Sequence, residues 1–264
     1  MRNVKQSTCQ PSLTGGSLAT TSWLCSSAYR AVGSVSSVGD QLEILVGQVR
    51  LAYRVSGDPE APPLLMLHAL GDEGGTWDPV VAELAKFFRV YAPYLRGHGR
   101  SDWPGSYSFE LMRDDILGFL DALGIGRVTV VAHSMGGSVA YLIAQEQPER
   151  IERLILEDIP PLFPRETDLP ERPEGPLPFD WPVVPAIRGQ FKDPDPAWWD
   201  RLAEITAPTL IVGGGPASHI PQDKLVDAAS RIPDCQLVTI PVGHNVHEAR
   251  PAEFTAVALD FLLR

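Results

Sequence analysis

The sequence contains few cysteines, no surplus of positive charge and no long apolar run. Its three cysteines, Cys9, Cys25 and Cys235, form neither a CxxC pair nor a cluster with histidine, which argues against a disulfide framework and against a zinc site. A reducing, cytoplasmic location is therefore expected. No apolar stretch reaches the roughly 18 residues that a membrane-spanning helix needs. The net charge of −11 argues against nucleic acid or an anionic membrane as a partner, because neither is attracted to an acidic surface.

The first 39 residues contain no aspartate or glutamate and are rich in serine, threonine and glycine. This composition buries little apolar surface, which favours a disordered tail or an upstream-extended start over a transit-type leader. We exclude residues 1–39 from the fold and expect one sizeable core in the rest of the chain.

Strand and helix patterns alternate from residue 41 onward. A hairpin is predicted at 42–46 and 49–55, with buried strands at 64–68, 90–92, 128–133, 154–157, 209–212 and 236–240. Helices are predicted at 77–88, 109–123, 135–147, 222–231 and 252–263. The alternation predicts a doubly wound, mostly parallel α/β sheet of eight strands, with an active site at the carboxyl ends of the strands.

One predicted strand, at 128–133, leads directly to Ser134. Ala132 and Gly136 are small, as a sharp strand-to-helix turn around an exposed serine requires. The N–H groups at the start of the following helix would point at a developing oxyanion. An ordinary tight turn explains this short motif equally well when it is considered alone.

The alternation stops between residues 159 and 206, where prolines are too dense for regular helices. The same segment is rich in phenylalanine and tryptophan, which a disordered linker would lack. We interpret residues 159–206 as a short Pro/Trp-rich lid inserted into a core made of residues 40–158 and 207–264. The lid aromatics indicate a small-molecule substrate with an apolar face.

Three more motifs follow predicted strands: His-Ala-Leu-Gly at 68–71, Arg-Gly-His-Gly-Arg-Ser at 96–101 and Gly-His at 243–244. Together with the Ser134 turn, they resemble the α/β-hydrolase superfamily over residues 41–264. The similar branch includes esterases, carbon–carbon bond hydrolases, epoxide hydrolases and proline iminopeptidases. Departures from its usual motifs include Ala69 in place of Gly, Tyr94 in place of Asp and Ala132 in place of Gly.

The resemblance implies that Ser134 is the nucleophile, that His244 is its base, and that the backbone N–H groups of Leu70 and Met135 form the oxyanion hole. Serine needs a neighbouring imidazole to accept its proton, and the tetrahedral oxyanion needs preorganised donors. His247 is the less favoured base, because His244 follows the last strand directly. The remaining motif histidines are interpreted as structural: His68, His98 and His133.

The acid of the triad is missing from its usual place, since the turn after strand 209–212 is Gly-Gly-Gly-Pro-Ala-Ser-His. Asp158, at the end of strand 154–157, could replace it, as in some haloalkane dehalogenases that this region resembles. Glu157 is the possible alternative acid, although its side chain should face the other side of the sheet. Asp158 could instead merely cap the turn into the proline-rich segment.

The expected function is a serine hydrolase that cleaves a small or medium carboxylic ester through an acyl-enzyme, with no cofactor and no metal, as a monomer or homodimer. Ser134 argues against the relatives that use an aspartate nucleophile, such as haloalkane dehalogenases and epoxide hydrolases. A carbon–carbon bond hydrolase is the alternative enzyme. A ligand-binding receptor on the same scaffold is the alternative from another class, and the missing acid favours it.

Overall fold

A single eight-stranded sheet organises the computed structural model, which describes residues 40–72, 74–166 and 168–264. The strand order is β1-β2-β4-β3-β5-β6-β7-β8. The bounds are β1 Asp40–Val46, β2 Val49–Ser56, β3 Pro63–Leu67, β4 Arg89–Pro93, β5 Val128–His133, β6 Ile151–Glu157, β7 Thr209–Gly213 and β8 Cys235–Thr239. Only β2 pairs antiparallel, with β1 and with β4. The predicted α/β class and mostly parallel eight-stranded sheet are confirmed, whereas the predictions for residues 1–39 lie outside the described residues.

Eight α-helices connect and flank these strands within the described part of the chain. They are α1 Asp78–Leu84, α2 Phe109–Ala122, α3 Met135–Glu146, α4 Val183–Gly189, α5 Ala197–Asp200, α6 Gln222–Arg231, α7 Val246–Ala249 and α8 Pro251–Leu262. Side chains of α2, α3 and α6 join one apolar cluster with the sheet, and those of α1 and α8 join the cluster on the opposite face. The central strands are therefore covered on both sides.

This double coverage explains why the central strands read as continuous apolar runs. Every residue of β5 is buried, and so is every residue of β7. In the edge strand β8, in contrast, no residue is fully buried. Among the helices that the structure describes, none is both long and apolar enough to cross a membrane.

The segment between β6 and β7 contains two short helices, α4 and α5, so the expectation that its prolines exclude regular helices was wrong. Pro182 and Pro196 immediately precede these helices, and Pro185 occupies the third position of α4. Those positions tolerate proline because the first N–H groups of a helix have no intrahelical acceptor. Proline density thus limited the length of the helices without preventing them.

Several hydrogen bonds attach this segment to the core. The hydroxyl of Tyr107 donates to Asp180 at 2.6 Å, and the N–H of Asp180 donates to the carbonyl of Gly97 at 2.7 Å. Farther along, the side chain of Gln145 on α3 donates to the carbonyl of Trp198 at 3.0 Å. These contacts attach the segment to the region that follows β4 and to α3.

Candidate active site

Ser134 occupies a strained turn between β5 and α3. Its φ of +49° and ψ of −114° are unusual for a residue with a side chain and cost about 1–3 kcal/mol. The turn is tight because α3 packs closely on the sheet: a Cβ on Gly136 would lie 2.5 Å from the carbonyl oxygen of Leu67. The close packing of α3 on the sheet therefore requires a glycine two positions after the serine. The strain presents the hydroxyl at the carboxyl end of β5.

Two backbone N–H groups beside Ser134 are available for an oxyanion. Leu70 and Met135 both line the same cavity as Ser134, and neither N–H group donates a hydrogen bond within the described part of the chain. The neighbouring backbone is held in place, since the N–H of Gly136 donates to the carbonyl of His68 at 3.1 Å. The N–H of Gly71 donates to Nε2 of His98 at 3.2 Å. This arrangement is preorganised in the way that oxyanion binding requires.

His244 lies in the loop after β8 and forms a hydrogen bond with Asp158. Nδ1 of His244 is 2.8 Å from Oδ2 of Asp158, and the Asp158 side chain is fully buried. Strand β6 lies between β5 and β7, so the residue that follows it can reach the His244 loop. The N–H of Asp158 donates to the carbonyl of Val212 at 2.8 Å, and its φ is +48°. Asp158 thus turns away from the strand direction and points its carboxylate at His244.

The Asp158 carboxylate accepts several further hydrogen bonds. Its donors are the backbone N–H of Gly214 at 2.7 Å, Nε2 of Gln222 at 3.0 Å and the hydroxyl of Ser218. Burial alone would raise the pKa of Asp158, but the hydrogen bonds from His244 and these three donors outweigh burial and lower it. A charged carboxylate in this position holds the His244 ring by its Nδ1–H and leaves Nε2 free to accept a proton.

Glu157 lies on the opposite face of the sheet, as its place in β6 predicted. Its carboxylate accepts hydrogen bonds from the N–H and Nδ1 of His247, at 2.8–2.9 Å, and both side chains are buried. The ring of Trp77 stacks on His247 with 4.1 Å between ring centroids. Burial would raise the pKa of Glu157, but the nearby His133 and His247 lower it. Glu157 and His247 therefore form a second buried acid–histidine pair, directed away from Ser134.

His133 contacts both acid–histidine pairs, Asp158–His244 and Glu157–His247. Its Nε2 donates to the carbonyl oxygen of His244 at 3.0 Å, and its ring contacts the rings of both His244 and His247. Burial lowers the pKa of His133 to about 4, so the ring is neutral at pH 7. His133 thus contacts the loop that carries His244, and it also lines the cavity beside Ser134.

His133, Glu157 and His247 also group three potential metal ligands within 4.8 Å of one another. Histidine and carboxylate are the ligand types that bind zinc. However, both oxygens of Glu157 already accept hydrogen bonds from His247. Glu157 and His247 therefore form a hydrogen-bonded pair, while Nδ1 of His133 and Nε2 of His247 are buried without a hydrogen-bond partner in the described part of the chain.

The candidate site opens into a cavity of about 660 Å³. Ser134 and His244 both line it, although Oγ of Ser134 has no hydrogen-bond partner among the described residues. Such a contact is often long in an empty site and tightens when substrate binds. Phe191, one of the aromatic residues of the predicted lid, also lines the cavity. Three further lining residues were missed by the sequence reasoning: Arg165 and Arg188 of the inserted segment and His219 of the loop after β7.

No sequence signal distinguished these three residues. Arg165 and Arg188 stand in a segment that contains four arginines, and only the chain path brings these two to the cavity. His219 is in contact with His244, with 4.3 Å between the ring centroids. Ser218 and Gln222, which orient the Asp158 carboxylate, were likewise missed because ordinary polar residues flank most helices.

Comparisons of the sequence and of the fold with known proteins find similar hydrolases. A family model described as alpha/beta hydrolase fold matches residues 62–181. An uncharacterized protein of Mycobacterium tuberculosis is 44% identical over 108 residues, which cover 40% of this chain and 31% of that protein. The match thus spans about a third of the length of this relative. The sn-1-specific diacylglycerol lipase of Mus musculus is 24% identical over 260 residues, covering 80% of this chain and 85% of the lipase.

Solved structures extend the likeness to most of the described residues. The crystal structure of a hydrolase from Pseudomonas aeruginosa aligns with a TM-score of 0.75 at 26% sequence identity. The alignment covers 85% of this chain and 98% of that one. It therefore includes both the strands before the inserted segment and those after it.

Proposed function

The chain belongs to the α/β-hydrolase fold family, and on this premise we propose that it is a serine hydrolase acting on a small or medium carboxylic ester. The observation that carries the proposal is the 2.8 Å contact between Nδ1 of His244 and the buried carboxylate of Asp158, beside the cavity that Ser134 lines. A histidine oriented in this way is suited to activate a serine hydroxyl. Ser134, His244 and Asp158 are the proposed triad.

The proposed reaction has two halves. Oγ of Ser134 attacks the ester carbonyl carbon while Nε2 of His244 accepts the hydroxyl proton, and the carbonyl oxygen becomes an oxyanion. The N–H groups of Leu70 and Met135 stabilise that oxyanion. The protonated His244 then gives its proton to the leaving alkoxide, which departs as the alcohol and leaves an acyl-enzyme. A water molecule, deprotonated by His244, releases the acid and restores Ser134.

A fluorophosphonate probe tests this proposal directly, because it reacts only with an activated serine. Wild type should be labelled and should hydrolyse p-nitrophenyl esters, whereas Ser134→Ala should lose both properties. The expected loss in kcat is on the order of 10⁶. Ser138→Ala is the matched control, since Ser138 is a buried serine one helical turn later and should still permit labelling at Ser134. Absence of labelling in the correctly folded wild type would refute the proposal.

Two alternatives give different results in the same experiment. A carbon–carbon bond hydrolase would cleave a carbonyl compound at the adjacent carbon–carbon bond in preference to esters. A ligand-binding receptor would neither be labelled nor turn over esters. The receptor hypothesis was based on a missing acid, and the carboxylate of Asp158 at 2.8 Å from His244 supports the hydrolase proposal instead.

A further inference from the structure

Two arginines of the inserted segment, Arg165 and Arg188, form part of the wall of the Ser134 cavity. Both side chains line this one cavity, and the pKa of Arg165 is lowered by burial and by the positive charge of Arg188. Two neighbouring positive charges in a partly buried wall repel each other, and an anion bound between them would relieve the repulsion. The cavity wall therefore contains a position that favours negative charge.

Arg165 is held rigidly in this position. Its guanidinium carbon lies 3.9 Å from the centre of the Phe191 ring and 5.2 Å from that of Phe163. Its backbone N–H donates to the carbonyl of Phe191 at 3.0 Å. Nε of Arg165 is buried without a hydrogen-bond partner, and no carboxylate in the described part of the chain forms an ion pair with this side chain. An oriented, partly desolvated cation of this kind binds a planar anion well.

Arg188 is oriented by a different contact and lines the same cavity. Its Nη1 donates to the backbone carbonyl of Asp168 at 2.8 Å. His219 lines this cavity too, and its ring contacts that of His244 with 4.3 Å between the ring centroids. Burial lowers the pKa of His219, and the positive charges of His244, Arg165 and Arg188 lower it further. The two arginines therefore share one cavity with the proposed base.

Three acidic residues, Asp72, Glu166 and Asp168, line the same wall. The side chains of Glu166 and Asp168 are exposed, so water screens them. Burial raises the pKa of Asp72, with a further contribution from Glu248. None of the three forms an ion pair with Arg165 among the residues that the structure describes.

We propose that Arg165 and Arg188 bind a carboxylate of the substrate, so that the preferred substrates are esters that carry a second, anionic carboxyl group. This inference depends on the proposed serine hydrolase activity and narrows its substrate class. Phe191 and Ile187 line the same cavity and offer apolar surface for the carbon chain that joins ester and carboxylate. A cavity of about 660 Å³ accommodates a molecule of this size.

Matched esters test the inference. The pair p-nitrophenyl hydrogen adipate and p-nitrophenyl hexanoate places a carboxylate or a methyl group at the same distance on the acyl side. The pair 4-acetoxybenzoate and 4-methylphenyl acetate does so on the alcohol side. In at least one pair, wild type should favour the anionic ester by about tenfold or more in kcat/KM, mainly through KM, after correction for spontaneous hydrolysis. The preference should shrink in 0.5 M NaCl.

The variants Arg165→Gln and Arg188→Gln should each lower the ratio of kcat/KM for the anionic and neutral esters about tenfold. Arg165→Lys should retain part of that ratio because the charge remains. Arg172→Gln is the matched control: Arg172 lies in the same segment but is exposed and donates to the carbonyls of Pro173 and Gly175. It should leave kcat/KM unchanged for all four esters.

Failure of this inference and failure of the proposed activity give different results. If wild type is labelled by a fluorophosphonate and hydrolyses the neutral esters without preference for either anionic ester, the carboxylate subsite is wrong and the hydrolase proposal stands. If wild type is neither labelled nor active, adipate binding to wild type and Arg165→Gln is compared by calorimetry. Equal affinities, or no binding to either, would overturn the subsite.

Discussion

Acidification from pH 7 to pH 5 should strongly destabilise this protein, because three histidines are buried in their neutral form. Burial lowers the pKa of His68 to about 3, with a contribution from the charge of His98, and lowers the pKa values of His98 and His133 to about 4. All three side chains are at most 1% exposed. The folded protein therefore resists taking up protons that the unfolded chain accepts below pH 6.5.

The hydrogen bonds of two of these rings require the neutral form. Nδ1 of His68 donates to the carbonyl of Ala69 at 2.8 Å while its Nε2 accepts from the N–H of Leu95 at 3.0 Å. His98 makes the corresponding pair with the carbonyl of Arg96 at 3.1 Å and the N–H of Gly71 at 3.2 Å. A protonated ring has no acceptor nitrogen, so protonation breaks one bond in each case.

The magnitude follows from linkage. Between the folded and unfolded pKa values the unfolded state binds more protons, so stability falls as pH falls, by about 1.4 kcal/mol per pH unit for each histidine. Three histidines give roughly 5 kcal/mol between pH 7 and pH 5, which is comparable to the total stability of an ordinary domain. Asp72 and Asp115, whose pKa values are raised by burial, offset part of this loss because they bind protons earlier in the folded state.

Urea denaturation followed by tryptophan fluorescence at pH 7.0, 6.5, 6.0 and 5.5 measures the effect. The free energy of unfolding should fall with a slope that approaches ~4 kcal/mol per pH unit at the acidic end. His98→Gln should be less stable at pH 7 but should show a slope smaller by about 1.4 kcal/mol per pH unit. A slope below ~1 kcal/mol per pH unit in wild type would show that the three histidines titrate normally in the folded protein.

Asp158→Asn should lower kcat for a p-nitrophenyl ester by about 10³–10⁴. Glu157→Gln should retain most of kcat but lose about 3–5 kcal/mol of unfolding free energy in urea, because it breaks a buried pair; a larger loss of kcat in Glu157→Gln would reverse the assignment of the acid. His244→Ala should be as inactive as a variant without the nucleophile, whereas His247→Ala should keep measurable turnover in the fraction that folds. An equally inactive, folded His247→Ala would contradict the choice of base. Gly214→Ala should reduce both melting temperature and kcat, since a Cβ there collides with the carbonyl of Gly243; near-normal values would show that the loop can shift.

The parts of the molecule that local sequence determines were predictable. The run from Val128 to His133 specified a strand covered on both faces, and α6 coincides with the predicted helix at 222–231. Helix α1 is shorter than the predicted helix at 77–88, because residues 85–88 form turns that lead into β4 at Arg89. These features depend on periodicity within one element, which the sequence displays directly.

The cavity wall was not predictable, because it is built by long-range placement. Arg165 and Arg188 are 23 residues apart, and each is fixed by a backbone contact elsewhere in the inserted segment: Arg165 through Phe191, and Arg188 through Asp168. Nothing in the spacing of a proline-rich segment indicates which of its arginines turns inward. The prediction of a lid at 159–206 was based on amino-acid composition. The charge that this segment brings to the cavity wall depends instead on the path of the chain.

The position of the acid and the glycines after β7 are two aspects of one arrangement. Asp158 leaves β6 with φ +48°, and its carboxylate carbon lies 3.3 Å from the point where Gly214 would carry a Cβ. The N–H of Gly214 donates to that carboxylate at 2.7 Å, which requires the backbone to approach closely. A side chain at Gly214 would therefore displace both the carboxylate and the His244 loop. The glycine-rich turn that seemed to lack an acid is, on this geometry, the space in which an acid from the neighbouring strand reaches His244.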